Sequence, residues 1–206
     1  MASNSIVHGI DVSHYQGTVN WYEVAAAGTG FAFAKATEGT SYQDPQFANN
    51  WFGMQAAGIL RGAYHFYQGS DDPVAQANDF IHTVGTLSDY DLPPVIDLET
   101  LGGASSAALI AGVQTWLDTV EQALGRTPMI YTDTSFWDEY MNNQFSRYPL
   151  WIAEYGVSQP RLPNGWASWT FWQNSQSGTV TGVNGQVDTD VFAGSLADLQ
   201  AFAARR

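Results

Sequence analysis

The sequence predicts an α/β fold, an incomplete β/α barrel with reduced helices in its C-terminal part. Three observations carry this. Short apolar runs alternate with segments that bear helix start and stop signals, the pattern of βαβ units. Several of these runs are continuously apolar, as strands buried on both faces of a parallel sheet are. The chain has 206 residues, at the floor of roughly 200 for a full (β/α)8 barrel, and no Gly-rich phosphate loop points instead to a doubly wound sheet.

The first strand is expected over Ile6–Val12, followed by Phe31–Ala36, Gly62–Tyr67 and Pro94–Leu98, the last an apolar run ending in acids. Met129–Thr132, Leu150–Tyr155 and Trp169–Gln173 continue the series. Asp44-Pro45 opens a helix, with Asp as N-cap and Pro in the first helical position, and Gly58 closes it. Asp72-Pro73 opens another that ends near Gly85. Ser105 or Ser106 opens the longest, about Ala107–Leu124, and Gly125 sits where a C-terminal glycine belongs. A last helix is expected from about Ser195 to Ala203. After Leu150 the sequence turns rich in Gly and Pro, which leaves little room for helices. The length fits one domain, 1–206, with a core over about 6–203.

Composition excludes several function classes. Charged residues make up 13% of the chain, against about 25% in an average soluble protein. Seven Lys and Arg face 20 Asp and Glu, a formal net charge of -13. Nucleic acid and anionic membrane surfaces are therefore excluded as expected partners. Without cysteine there is no disulfide, thiolate metal site or Cys nucleophile. No apolar stretch is long enough for a transmembrane span. Met1–Ile10 lacks the features of a signal peptide, and Met1-Ala2-Ser3 suits an added start on a mature secreted chain.

In β/α barrels the active site lies at the C-terminal ends of the strands. Here those ends carry Asp11, Lys35, the run Tyr64-His65-Phe66-Tyr67, Asp97-Leu98-Glu99, Tyr131, Trp151 with Tyr155, and Trp172-Gln173, with Asp188 after the glycine turns. Asp97 and Glu99 are the sharpest feature. Residues i and i+2 of a strand project from one face, with Cα atoms roughly 6.5–7 Å apart. Two carboxyls that close, at the end of an apolar run, raise one another's pKa, which suits one to act as an acid. Glycoside hydrolysis needs such a pair; a helix cap beside a surface acid is the other reading. Asp11 reads either as a site acid or as a turn residue, and Asp188-Thr189-Asp190 resembles a solvated turn. Lys35, the single lysine, either balances a carboxylate cluster or is a surface residue.

Most aromatic residues belong to the core, with Phe31, Phe33, Phe47 and Phe52 foremost. Those on the rim suit sugars, since Tyr and Trp offer an apolar face with a polar edge. His65 is expected to pack or hydrogen-bond. His8, His14 and His82 show no metal-binding spacing, so neither metal nor cofactor is expected. The absence of a G-x-S-x-G elbow removes support for an α/β-hydrolase triad.

Eight segments in order resemble the glycoside hydrolase family 25 lysozymes, the Chalaropsis-type N-acetylmuramidases. They are Gly9-Ile10-Asp11-Val12-Ser13 with Gln16-Gly17, Phe33-Ala34-Lys35-Ala36-Thr37-Glu38-Gly39, Gly62-Ala63-Tyr64-His65-Phe66 and Asp97-Leu98-Glu99, then Ile130-Tyr131-Thr132, Leu150-Trp151-Ile152-Ala153 with Tyr155, Trp172-Gln173 and Val187-Asp188. The resemblance implies an irregular, flattened TIM-like β/α barrel. It implies hydrolysis of the β-1,4 bond between N-acetylmuramic acid and N-acetylglucosamine in peptidoglycan. Glu99 would be the general acid and Asp97 the second carboxylate, with Asp11 and Asp188 completing the acidic cluster. Lys35, Tyr64, Phe66, Tyr131, Trp151, Tyr155 and Gln173 would meet the sugar.

Asp97 has three possible roles under this resemblance: nucleophile, base for water, or a group orienting the substrate's own N-acetyl group. The chitinase signature D-x-x-D-x-D-x-E is broken at Leu92 and Val95, which argues against that family. Two other functions compete with the muramidase: a non-catalytic glycan-binding module, and a hydrolase of another N-acetylated glycan. A monomer acting outside the cell is expected. Because bacterial walls are anionic, a -13 protein should work best in acid or at moderate salt.

Overall fold

The computed structural model describes residues 6–141 and 143–205, so Met1-Ala2-Ser3 lies outside it. Nine strands form one sheet: β1 (Val7–Val12), β2 (Phe31–Glu38), β3 (Tyr42–Gln43), β4 (Leu60–Phe66), β5 (Val95–Leu98), β6 (Met129–Asp133), β7 (Leu150–Ala153), β8 (Phe171–Gly178) and β9 (Val187–Phe192). The sheet order is β1-β9-β8-β7-β6-β5-β4-β2-β3, and β1 also pairs with β2. That last pairing seals eight strands into a ring, with the two-residue β3 as a flap on β2. The pairs from β1–β2 round to β7–β8 are parallel, whereas β9 runs antiparallel to both β8 and β1. The ring of strands is thus complete, and what is reduced is the outer helical layer.

Six helices accompany the ring: α1 (Trp21–Ala26), α2 (Phe47–Ala56), α3 (Pro73–Val84), α4 (Ser106–Leu124), α5 (Thr134–Tyr140) and α6 (Leu196–Ala203). No helix intervenes between β7, β8 and β9. Strand residues alternate between two cores, as the period of two requires. Phe31, Phe33, Val95, Met129, Trp151 and Phe171 fill the lumen. Ile10, Ala32, Ala34, Ala63, Ile96 and Ile130 face outward, under Phe80 of α3 and Val113, Trp116 and Leu117 of α4. His65 also faces outward: it is stacked 5.6 Å from Trp116 and lies 2.7 Å from Thr37 Oγ1 and 3.0 Å from Gln76 Oε1.

Two glycines make the lumen possible. A Cβ on Gly9 would stand 2.3 Å from the Phe31 ring, and one on Gly62 would stand 2.3 Å from the Phe33 ring. The phenyl rings therefore lie flat over bare backbone in neighbouring strands. At the opposite pole from the strand C-termini, α6 plugs the ring with Leu199, Phe202 and Ala203, and Phe202 lies 5.9 Å from Phe171. Its Ser195–Asp198 capping box is complete.

Several expectations change. The Asp44-Pro45 helix starts later, at Phe47: Asp44 instead caps the turn before it, its buried carboxylate accepting from the backbone N–H of Gln46 on one oxygen and from that of His14 on the other. Phe52 is not core but 66% exposed, on the solvent side of α2. Residues 188–190 form a strand rather than a turn. Helices α1 and α5, absent from the sequence reading, are short; α5 starts straight from β6, with Asp133 capping the N–H groups of Ser135 and Phe136.

Candidate active site

The rim formed by the C-terminal ends of the parallel strands collects the carboxyls. Asp11 ends the lumenal face of β1, Asp97 that of β5, and Glu99 follows one residue beyond β5. Asp188 arrives from the other direction. Because β9 is antiparallel, its N-terminal end lies at this rim, and Asp188 pairs in register with Asp11. The same strand delivers Asp190 one lumenal position deeper, opposite Gly9 and Gln173. Asp190 is 1% exposed and was not anticipated. The i, i+2 rule that singled out Asp97 and Glu99 applies equally to Asp188 and Asp190, once they are placed on a strand.

Polar side chains of the later strands tie the acids down. Gln173 donates from Nε2 to Asp11 Oδ2 at 2.6 Å, while its Oε1 accepts from Tyr131 at 2.8 Å and Tyr155 at 2.5 Å. The two tyrosine donors fix which way the amide faces. Trp151 donates its indole N–H to Asp190 Oδ1 at 2.8 Å, and its ring is stacked 4.4 Å from Phe33, with Tyr131 edge-on at 4.7 Å. Tyr64 completes the wall, 6.4 Å from Trp151.

All five carboxyls are pushed upward in pKa. Burial is the largest cause at each. Repulsion adds to it at Asp11 from Asp190 and Asp188, and at Asp97 from Glu99. Asp97 and Glu99 are close enough to interact, and repulsion from Glu99 adds to burial in pushing up Asp97, the deeper of the two. Asp97 forms the buried floor and Glu99 is exposed to the groove.

The sequence left two readings of Lys35, and the structure overturns the surface one. Lys35 is buried and pairs with Glu38 at 2.5 Å, below the Phe66 ring at 4.9 Å and the Tyr42 ring at 5.6 Å. Its charge also draws down the pKa of Asp97 and Glu99. Phe66 thus supports the lysine at one side of the groove. On the other side, a hollow of about 360 Å³ beside Glu99 is lined by Tyr131, Asp133, Glu154, Tyr155 and Arg161 among others. A larger hollow, about 620 Å³, lies away from these acids, around the buried Arg61–Asp91 ion pair. It brings no unpaired charge to a reacting bond.

An eight-stranded ring with a rim of carboxyls, hydroxyls and rings is a setting for glycoside chemistry, and the sequence comparisons agree. The profile of "Glycosyl hydrolases family 25" matches residues 10–183. The chain belongs to that family. This family 25 hydrolase is similar to Lysozyme M1 of Streptomyces globisporus, 42% identical over 214 residues, covering 98% of this chain and 73% of that protein. It is 37% identical over 202 residues to the N,O-diacetylmuramidase of Chalaropsis sp, covering 88% of this chain and 96% of the relative. Among solved structures, the bacterial lysozyme from Streptomyces coelicolor superposes with a TM-score of 0.93 at 40% identity, covering 97% of the hydrolase and 98% of that chain. The barrel expected from the sequence is the barrel of that relative.

Proposed function

We propose that this family 25 hydrolase is a muramidase, cleaving the β-1,4 bond between N-acetylmuramic acid and N-acetylglucosamine in bacterial peptidoglycan outside the cell. The observation that carries the reading is the Asp97–Glu99 pair: two neighbouring carboxyls, both pushed upward in pKa, one on the buried floor and one open to the groove, which on this reading hold one proton between them. A glycosidic oxygen enters from the open side, so Glu99 is the acid that meets it. For Glu99 to hold the proton, Asp97 must give it up. The anion left on Asp97 then accepts the N–H of the sugar's acetamido group. That contact aims the acetamido oxygen at the anomeric carbon, the substrate-assisted route. The pair titrates as a unit, so its pH limits belong to both residues together.

Asp11 and Asp188 line the acidic side of the groove, where the Asp188 carboxylate favours positive charge developing on the sugar ring. Tyr64 and Tyr155 present the ring faces and polar edges that an N-acetylhexosamine requires, and the buried Tyr131, Trp151 and Gln173 hold the groove from behind. Lys35 offsets part of the charge of the catalytic pair.

The test is digestion of purified peptidoglycan by wild type and Glu99→Gln, with new reducing ends read by mass spectrometry. N-acetylmuramic acid ends from wild type alone are expected, with the variant slower by about 10²–10⁴. No new ends from either protein across about pH 3 to 8, with binding retained, would instead indicate a glycan-binding module. Cleavage of chitin oligomers at an equal rate would indicate a broader hydrolase.

A further inference from the structure

Asp190 has no part in the chemistry above, yet it is buried directly behind it. One oxygen is engaged by the Trp151 indole N–H at 2.8 Å. Its Oδ2 is buried and has no donor among the described residues. A buried carboxylate oxygen without a donor is costly. The group within hydrogen-bonding reach is the carboxyl of Asp11. Two carboxyls satisfy one another when a proton lies between them, and the surroundings say which holds it. Asp11 already accepts the Gln173 amide N–H on Oδ2, so its other oxygen can carry the proton. Asp190 has the indole N–H to steady its negative charge.

We propose that Asp190 is a positioning residue that keeps Asp11 in its neutral form and holds the pair's single negative charge one layer below the catalytic carboxyls. The register supports this: Asp190 is level with Gly9, two strand residues beneath Asp11, a drop of about 6.5–7 Å. The charge that matters to catalysis is that of Asp11, which repels both Asp97 and Glu99. Other groups facing the pair are Asp188 on the same strand, Tyr64, Tyr131 and Tyr155 around the rim, and Lys35 across it. Asp188 is only partly buried, so water screens it. Asp11 is buried and is not screened, which is why its protonation state has to be governed from beneath.

The consequence differs from that of a merely structural residue. In Asp190→Asn, the side-chain oxygen still accepts from Trp151 and the new amide donates to Asp11. Asp11 then ionises, and the negative charge moves up a layer, next to Glu99. The fold is kept, and the pair's proton is lost.

Carboxyl NMR of ¹³C-aspartate-labelled protein near neutral pH tests this on wild type, Asp190→Asn and Asp11→Asn. Wild type should show one protonated aspartate carboxyl that both single variants lose, while that of Asp97 persists in all three. The same number of protonated carboxyls in either folded variant as in wild type would overturn the assignment. Asp11→Asn keeps the test available if Asp190→Asn fails to fold. A kinetic measurement follows, and only this arm rests on the muramidase reading. The alkaline limb of kcat/KM in Asp190→Asn should move up by about 0.5–1 pH unit, less than the 1–3 of a charge in direct contact. A limb that stays in place after the proton is lost would overturn the layered placement of charge. Absence of all turnover in wild type would discard the muramidase reading and leave the proton count intact.

Discussion

Asp11 and Asp188 face one another as partners in the antiparallel β1–β9 ladder, the single place in the ring where two acids of the rim are paired in register. Like charges directly opposite destabilise a sheet. With Asp11 held neutral, as proposed above, this rung carries one negative charge rather than two, while burial and Glu99 still raise the pKa of Asp188.

Asp188→Asn should therefore stabilise the fold at neutral pH. The folded pKa of Asp188 is raised above its unfolded value. Its charge thus costs stability above the folded value, and the cost fades as pH falls toward about 4, the unfolded value. Allowing for screening at this partly exposed group, the gain is about 1 kcal/mol, or roughly 2–4 °C in Tm. Thermal unfolding should show the gap at pH 7 and little of it near pH 4, together with lower kcat.

Gln173→Ala should impair turnover without unfolding the protein. It strips Asp11 of its N–H donor and leaves the hydroxyls of Tyr131 and Tyr155 without their acceptor. Losing such buried partners is worth about 1–3 kcal/mol, hence roughly 10–100-fold in kcat/KM. Gln173→Glu restores the acceptor but adds another carboxyl, so steady-state kinetics should show rescue in acid only.

Gly62→Ala should destabilise through the lumen, away from the acids of the rim. Its Cβ would collide with the Phe33 ring. Overpacking of this kind costs about 1–3 kcal/mol. Phe33→Leu in the same chain should recover part of it, and a double-mutant cycle by urea unfolding should give a coupling of at least about 0.5 kcal/mol.

His65 governs the acid side of stability. Burial lowers its pKa to about 4 from 6.5. As pH falls below 6.5 the unfolded chain takes up a proton that the fold refuses, so stability is lost down to about 4, by roughly 3 kcal/mol. His65→Gln should be less stable at neutral pH, having lost the stack on Trp116. Its urea midpoint should then fall less steeply between pH 6.5 and 4.

The parts of this fold that follow local rules were legible. Asp72-Pro73, Ser105 and Gly125 mark helix ends by capping alone, and each lies where the structure has it. The rim acids Asp11, Asp97 and Glu99 were legible because parallel strands place their ends at one pole. Asp190 was not, because its position depends on β9 running backwards, a tertiary fact with no local signature. Phe52 misled for the same kind of reason: an aromatic ring in a helix reads as core until the helix is turned, and here Phe47, Trp51 and Met54 took the inner face. Asp44 does cap a backbone N–H, that of Gln46, but its other oxygen is taken by His14, thirty residues earlier, and the residue caps a turn rather than the helix.

The pairing of Val7 with Phe192 carries a kinetic consequence. The seam joins nearly the first described residues to the last strand, so the ring cannot be sealed until everything from β1 through β9 has left the ribosome. Until then the lumenal rings of Phe31, Phe33 and Trp151 lack the wall formed by Phe171 and Phe192. Contacts so distant in sequence are made slowly, and the half-ring that waits for them exposes apolar surface and unpaired strand edges. The nascent protein is most vulnerable to aggregation just before β9 emerges.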